Sequence, residues 1–197
     1  PLQEIVRVSL AWGDETDAGG LLRRLTSLSN LRVIGFTFGQ ALLSTILTLL
    51  LGLPGAYVFA RYDFPGKRLV QSLTTVPFVL PTVVVAAAFS SVLGPRSFLS
   101  RITGGELDLR YTFAAILIAH VFYNYTVVLR TVRGFWSTLD INLEMAARTL
   151  GASPWRVFLT VTLPLLMPAV TTAGVLVFIF CFTSFGVVLI LGGPQFA

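Results

Sequence analysis

The sequence predicts an all-α membrane protein, a polytopic bundle of about four transmembrane helices. Three observations predict it. The 197 residues are 55% hydrophobic and only 12% charged, whereas a soluble domain carries about 25% charged residues. The mean hydropathy is +0.83. The few charges are also clustered, which leaves residues 33–60, 69–95, 111–129 and 157–197 without Asp, Glu, Lys or Arg, runs of 28, 27, 19 and 41 residues. A charge at mid-bilayer costs about 2.5–3.5 kcal/mol on the insertion scale, so runs of this length select for lipid. Disorder, a secreted disulfide scaffold and a free-standing soluble enzyme are excluded on the same grounds. Cys181, the single cysteine, offers neither a disulfide nor a metal cluster. The net charge of +5 lies between the apolar runs, where headgroups and topology account for it without nucleic acid.

Each element follows from length. About 20 helical residues cross a hydrocarbon layer about 30 Å thick. The first two runs suffice and give spans at about 33–60 and 69–93. The third just suffices and extends to about 132, with Arg130 snorkelling to the headgroups. The fourth is twice too long for one span. Pro164 and Pro168 divide it, so residues 157–167 read as an interfacial entry segment. The span then covers about 169–191 and ends at Gly192-Gly193-Pro194. Ahead of the spans, residues 1–31 read as extramembranous. Residues 14–20 form a polar loop, and Leu21, Leu22, Leu25 and Leu28 recur at helical spacing, as in a surface amphipathic helix. The absence of an initiator methionine and the abrupt end suggest a fragment. Four spans place both ends on one side, but each set of loops holds seven Lys and Arg, so charge does not orient the chain.

The chemistry of hydrolysis is missing. There is one histidine, no HExxH, and no phosphate loop, since Gly66-Lys67 is followed by Arg68 with no glycine five residues before Gly66. The spans contain no carboxylate, which argues against a self-powered proton-coupled carrier. Pro77, Pro81, the Gly35/Gly39 pair and Ala86-Ala87-Ala88 serve close packing and kinks, or else soften the lining of a translocation path. His120, Tyr123 and Asn124 stand at i, i+3 and i+4. They bond between helices or face a passing substrate.

The segment between the third and fourth spans is the most patterned. Asp140 is an N-cap. Leu143, Ala146 or Ala147, and Leu150 form an apolar stripe. Gly151 suits the left-handed position past a helix end, and Ser153-Pro154 opens a second helix. A solvated linker has no use for a small apolar face, which points to a short helix docked on another protein.

Glu144-Met145-Ala146-Ala147-Arg148-Thr149-Leu150-Gly151, followed by Val161-Thr162-Leu163-Pro164, resembles the EAA loop of binding-protein-dependent ABC importer permeases. In that pattern Gly stands seven and Pro twenty residues after the Glu, as Gly151 and Pro164 do here. Met145 replaces an alanine and Val161 an isoleucine, both apolar exchanges. Further stretches, among them Ala119-His120-Val121-Phe122-Tyr123-Asn124 and Phe182-Thr183-Ser184-Phe185-Gly186, are similar to the thiamine and ferric-iron branch. The resemblance covers about residues 31–197. It implies a permease domain over 32–197 in the cell inner membrane, with a cytoplasmic coupling loop at about 134–164 and both ends external. It further implies that Glu144, Ala146, Ala147, Leu150, Gly151 and Pro164 belong to the coupling element. Glu144 would contact the ATPase or stabilise the loop. The implied partners are ABC ATPase subunits, which hold the ATP and Mg, an external binding protein, a second permease half and lipid. No metal, cofactor or catalytic residue is expected in this chain, and the implied cargo is thiamine or ferric iron. A fragment of a secondary carrier or channel is the alternative; an intramembrane enzyme has no visible catalytic residues.

Overall fold

The computed structural model describes residues 28–95, 97–102 and 108–193. Every regular element among them is helical. The polar loop at 14–20 and the surface helix expected from Leu21, Leu22 and Leu25 lie outside the described residues. The chain divides into two compact units, one ending at Gly39 and the other beginning at Gln40.

Helix α1 runs over Leu28–Arg61. In its part up to Gly39, Leu31, Val33, Ile34 and Phe38 are exposed, as on a lipid-facing helix. Thr37 Oγ1 donates to Val33 O at 2.8 Å, so its hydroxyl is satisfied within its own helix. A methyl group at Gly35 or Gly39 would meet nothing within 4 Å. The close packing expected of this pair is therefore not made within the described residues.

From Gln40 onward the bundle is built around α5 (Phe113–Trp136), capped by Thr112, whose hydroxyl accepts from Ala115 N at 3.2 Å. Half of its most apolar window is buried, against 33% for α1 and 28% for α7 (Pro154–Phe182). The core joins Ala41, Ala56 and Phe59 of α1, Val127, Val128, Val132 and Trp136 of α5, and Leu166, Ala173, Val177 and Cys181 of α7. Small residues set the approach of α1 to α5. An added Cβ at Gly52 would stand 2.6 Å from Val128, and one at Gly55 would strike the Tyr125 hydroxyl. These two glycines are tightly packed against α5.

Two spans differ in shape from expectation. The second is not one straight helix: it is α2 (Lys67–Val79) and α3 (Thr82–Val92), bent by 105°, a broken span or a re-entrant loop. Of its two prolines, Pro77 stays inside α2, buried, while Pro81 makes the break. The residue before a proline is pushed out of the helical region, and Leu80 accordingly has ψ 142°. At 1.5 Å per residue the arms are only about 20 Å and 16 Å long, and neither crosses alone.

The fourth span starts earlier and ends sooner than expected. Pro164 and Pro168 do not divide it. α7 is continuous over 29 residues from Pro154 to Phe182. The reason is local. A π-helical turn, Phe158–Thr162, precedes Pro164. Its wider i→i+5 bonding displaces the hydrogen-bond ladder where the proline lacks a donor. The interfacial segment expected at 157–167 is thus the first part of the span itself. The break falls at Thr183-Ser184, where Ser184 leaves helical geometry with ψ 54°. A short α8 (Phe185–Val187) continues as a π turn to Gly192, and Gly193 ends it with φ 65°. After α3 comes the short α4 (Phe98–Ile102).

Candidate functional site

The loop after α5 folds by its own caps. Asp140 Oδ1 accepts from Asn142 N at 2.9 Å and opens α6 (Ile141–Thr149). At the other end Gly151 N donates to Arg148 O at 2.9 Å and Ala152 N to Ala147 O at 3.2 Å. This pair of bonds is the Schellman closure, which needs a left-handed residue between helix and exit. Gly151 supplies it with φ 86°. Ser153 Oγ then accepts from Arg156 N at 3.4 Å, and Pro154 occupies the first turn of α7. Helix, glycine turn and second helix stand as the residues predicted.

No residue of α6 is buried. Ile141, Leu143, Met145 and Leu150 are exposed, Leu150 to 88%. Ala146 is exposed and Ala147 half-buried. The inward group is polar. Glu144 Oε1 accepts from Arg61 at the end of α1, in an ion pair whose two side chains are each 16% exposed. It also accepts from Thr162 Oγ1 in the π turn of α7, at 3.0 Å. Glu144 is therefore a brace between three helices. Pro164 lies two residues beyond Thr162, exposed, in the α-helical part of α7.

Beneath α6 is a groove of about 670 Å³ whose walls include Leu53 and Tyr57 of α1, Trp136 of α5, and Trp155 and Phe158 of α7. Its rings form a chain. Tyr62 meets Tyr57 at 5.8 Å and Tyr57 meets Trp136 at 5.3 Å. Trp136 stacks on Phe158 at 6.3 Å, and Phe158 on Trp155 at 5.7 Å. Contacts of this kind contribute about 0.5–1.5 kcal/mol each beyond area burial. Neither this ladder nor the partners of Glu144 were found by sequence reasoning, because the residues are separated by up to about a hundred positions and share no spacing. The turn between α1 and α2 is stapled separately. Lys67 Nζ donates to Asp63 Oδ1 at 2.7 Å and to Tyr62 O at 2.8 Å, and the Lys67 hydrogen bond holds the Asp63 carboxyl below its ordinary range.

The three polar residues of α5 do not act as one face. His120 and Asn124 are each 1% exposed. Ser44 Oγ lies 3.2 Å from His120 Nδ1. Asn124 Nδ2 donates to His120 O at 3.0 Å and to Cys181 Sγ at 3.4 Å, and Gln40 Nε2 donates to Cys181 O at 3.1 Å. This seam ties α1, α5 and α7 together. Tyr123 turns to the α2 arm, donates to Phe78 O at 3.4 Å and packs on the Phe78 ring at 5.8 Å.

Comparison with known proteins agrees with this arrangement. Residues 49–196 match the family described as binding-protein-dependent transport system inner membrane component. The chain is 36% identical over 147 residues to the molybdenum transport system permease protein ModB of Escherichia coli, covering 73% of this chain and 64% of that protein. It is 34% identical over 163 residues to a probable sulfate transport system permease protein, cysT, of Marchantia polymorpha, covering 82% and 56%. It is 33% identical over 166 residues to ModB of Azotobacter vinelandii, covering 83% and 74%. The chain thus spans less than two thirds of the first two relatives. A crystal structure of a bacterial ABC transporter involved in import of the acidic polysaccharide alginate matches in fold, with TM-score 0.75 and 16% identity over 99% of this chain and 72% of that one. With the helix–glycine–helix loop, the braced glutamate and a family match across three quarters of its length, this chain belongs to the inner membrane components of binding-protein-dependent transport systems.

Proposed function

We propose that the chain is part of the permease subunit of an ATP-driven importer in the cell inner membrane, and that α6 couples it to a separate ATPase subunit on the cytoplasmic side. One observation carries this reading. α6 is capped at both ends, turns its carboxylate inward and leaves Ile141, Met145 and Leu150 outside. A helix that keeps its apolar side off its own bundle fits the groove of another protein. ATP and Mg belong to that ATPase. An external binding protein delivers the cargo, a second permease half completes the pathway, and lipid surrounds both.

The movement enters through Ala146, Ala147 and the Gly151 turn. It passes through Glu144 to Arg61 and Thr162, and through the ring ladder to α5. His120 and Asn124, buried in their seam, hold the moving helices in register. The cargo we propose is a small inorganic oxyanion, the class named in the sulfate and molybdenum relatives. Those relatives lend no support to the thiamine or ferric-iron cargo implied by branch likeness, and the residues behind that likeness are helix-packing residues.

The test uses the complete transporter. Ala147→Trp is expected to cut uptake at least tenfold while ATP hydrolysis continues, and Ser137→Cys to react with impermeant label from the cytoplasmic side alone. Normal uptake in the first, or external labelling in the second, removes the assignment.

A further inference from the structure

A second groove, of about 560 Å³, lies between α2 and α5 at the same end of the bundle as α6. Arg68, Arg130 and Arg133 line it, with Gln71 and Thr75. No carboxylate is in its wall. The described acids are all committed elsewhere: Asp63 to Lys67, Glu144 to Arg61, Asp108 to Arg110, and Asp140 to the start of α6. None of the three arginines has a salt-bridge partner among the described residues.

Their placement is unfavourable without a counter-charge. Arg130 and Arg133 share a face of α5 at i, i+3, where like charges repel. Arg68 sits in the first turn of α2, which contains no acid and where the helix dipole is already positive. The arms are held in place from below, since Thr126 Oγ1 of α5 donates to Thr74 O of α2. The hydroxyl hydrogens are used internally. Thr74 and Thr75 donate to Gln71 O at 2.9 and 3.0 Å, and Ser72 donates to Arg68 O at 3.0 Å. The groups left to donate into the groove are the three guanidiniums and the Gln71 amide. Guanidinium forks match the paired oxygens of a tetrahedral anion.

We propose that this groove is an oxyanion-binding site, taking sulfate, molybdate or phosphate as the free ion, or the phosphate of an anionic lipid headgroup. The identity of the free ion rests on the cargo class proposed above; the site itself does not.

The experiment uses the complete transporter in phosphatidylcholine nanodiscs without its binding protein. Saturable binding of radiolabelled sulfate is expected, competed by molybdate and phosphate. Arg130→Gln with Arg133→Gln should weaken it at least tenfold. Arg130→Lys with Arg133→Lys should retain part of it, and Arg101→Gln, outside the groove, should leave it unchanged. A second arm adds phosphatidylglycerol and counts retained lipid by native mass spectrometry. Retention by the wild type and loss in the double Gln variant, without sulfate binding, assigns the site to the headgroup. If neither sulfate nor phosphatidylglycerol distinguishes the wild type from a correctly folded double variant, the site is refuted. Uptake of sulfate and molybdate with the binding protein present is scored separately. Its failure, with anion still bound in the groove, removes the cargo class and leaves the site.

Discussion

Arg61, the last residue of α1, donates to the carboxylate of Glu144, 83 positions later and the one acid within α6. The pair welds the cytoplasmic end proposed for α1 to the loop, and Thr162 adds a second anchor at 3.0 Å. Removing one member of a partly buried pair leaves the other uncompensated. Glu144→Gln should therefore lower the thermal stability of the purified transporter by about 1–3 kcal/mol, as for loss of a charged hydrogen bond. Arg61→Gln should act alike, and the double variant should cost less than the sum. Strict additivity in that cycle would show that the pair contributes nothing jointly.

The turn at Gly151 admits a second test. With φ 86° a side chain there is strained, at about 1–2 kcal/mol for Ala and more for a β-branched residue. Gly151→Val should leave the protein inserted but lower uptake per ATP hydrolysed, whereas Gly151→Asn, which tolerates the left-handed region, should retain most of it. Equal coupling ratios in the two variants would mean that the turn conformation is not what transmits the movement.

Helix packing makes a contrast between two glycine pairs. Gly52→Ala brings a methyl against Val128, and such overpacking costs about 1–3 kcal/mol. Adding Val128→Ala should recover much of the loss. Gly35→Ala and Gly39→Ala meet nothing within 4 Å among the described residues and should assemble normally. Folding yields in detergent read both comparisons, and a Gly52→Ala protein as stable as its parent would contradict the contact with α5.

The prolines give a third contrast. Pro81→Ala restores the missing donor at the elbow and should lengthen the distance between spin labels at Ser72 and Ser90. Pro164→Ala, in an already continuous helix, should leave α7 unchanged. An unaltered distance in the first variant would show that packing, not the proline, holds the 105° bend.

How far the sequence was legible follows from range. Asp140, Gly151, Ser153 and Pro154 act on bonds two to five residues away, so their pattern specified the loop before any coordinates. The charge-free runs likewise specified the apolar helices. Proline is different. Its effect depends on whether the neighbouring turn can do without a donor, and the π turn before Pro164 has no sequence mark that its counterpart at Pro81 lacks. The brace on Glu144, the ring ladder and the arginine groove all join residues far apart in the chain, where spacing carries no signal. His120 and Tyr123 share a helical spacing yet part company because α7 lies beside one and α2 beside the other.

The elbow has a solvation consequence. Because residue 81 is a proline, the carbonyl of Pro77 loses the donor that four further residues would normally supply. Tyr123 serves the next carbonyl, that of Phe78. Acyl chains have no N–H or O–H to offer, and an unserved carbonyl in oil costs several kcal/mol. The outside of the bend must therefore be wetted or covered by protein. It is a stretch of this apolar chain that lipid alone cannot dissolve.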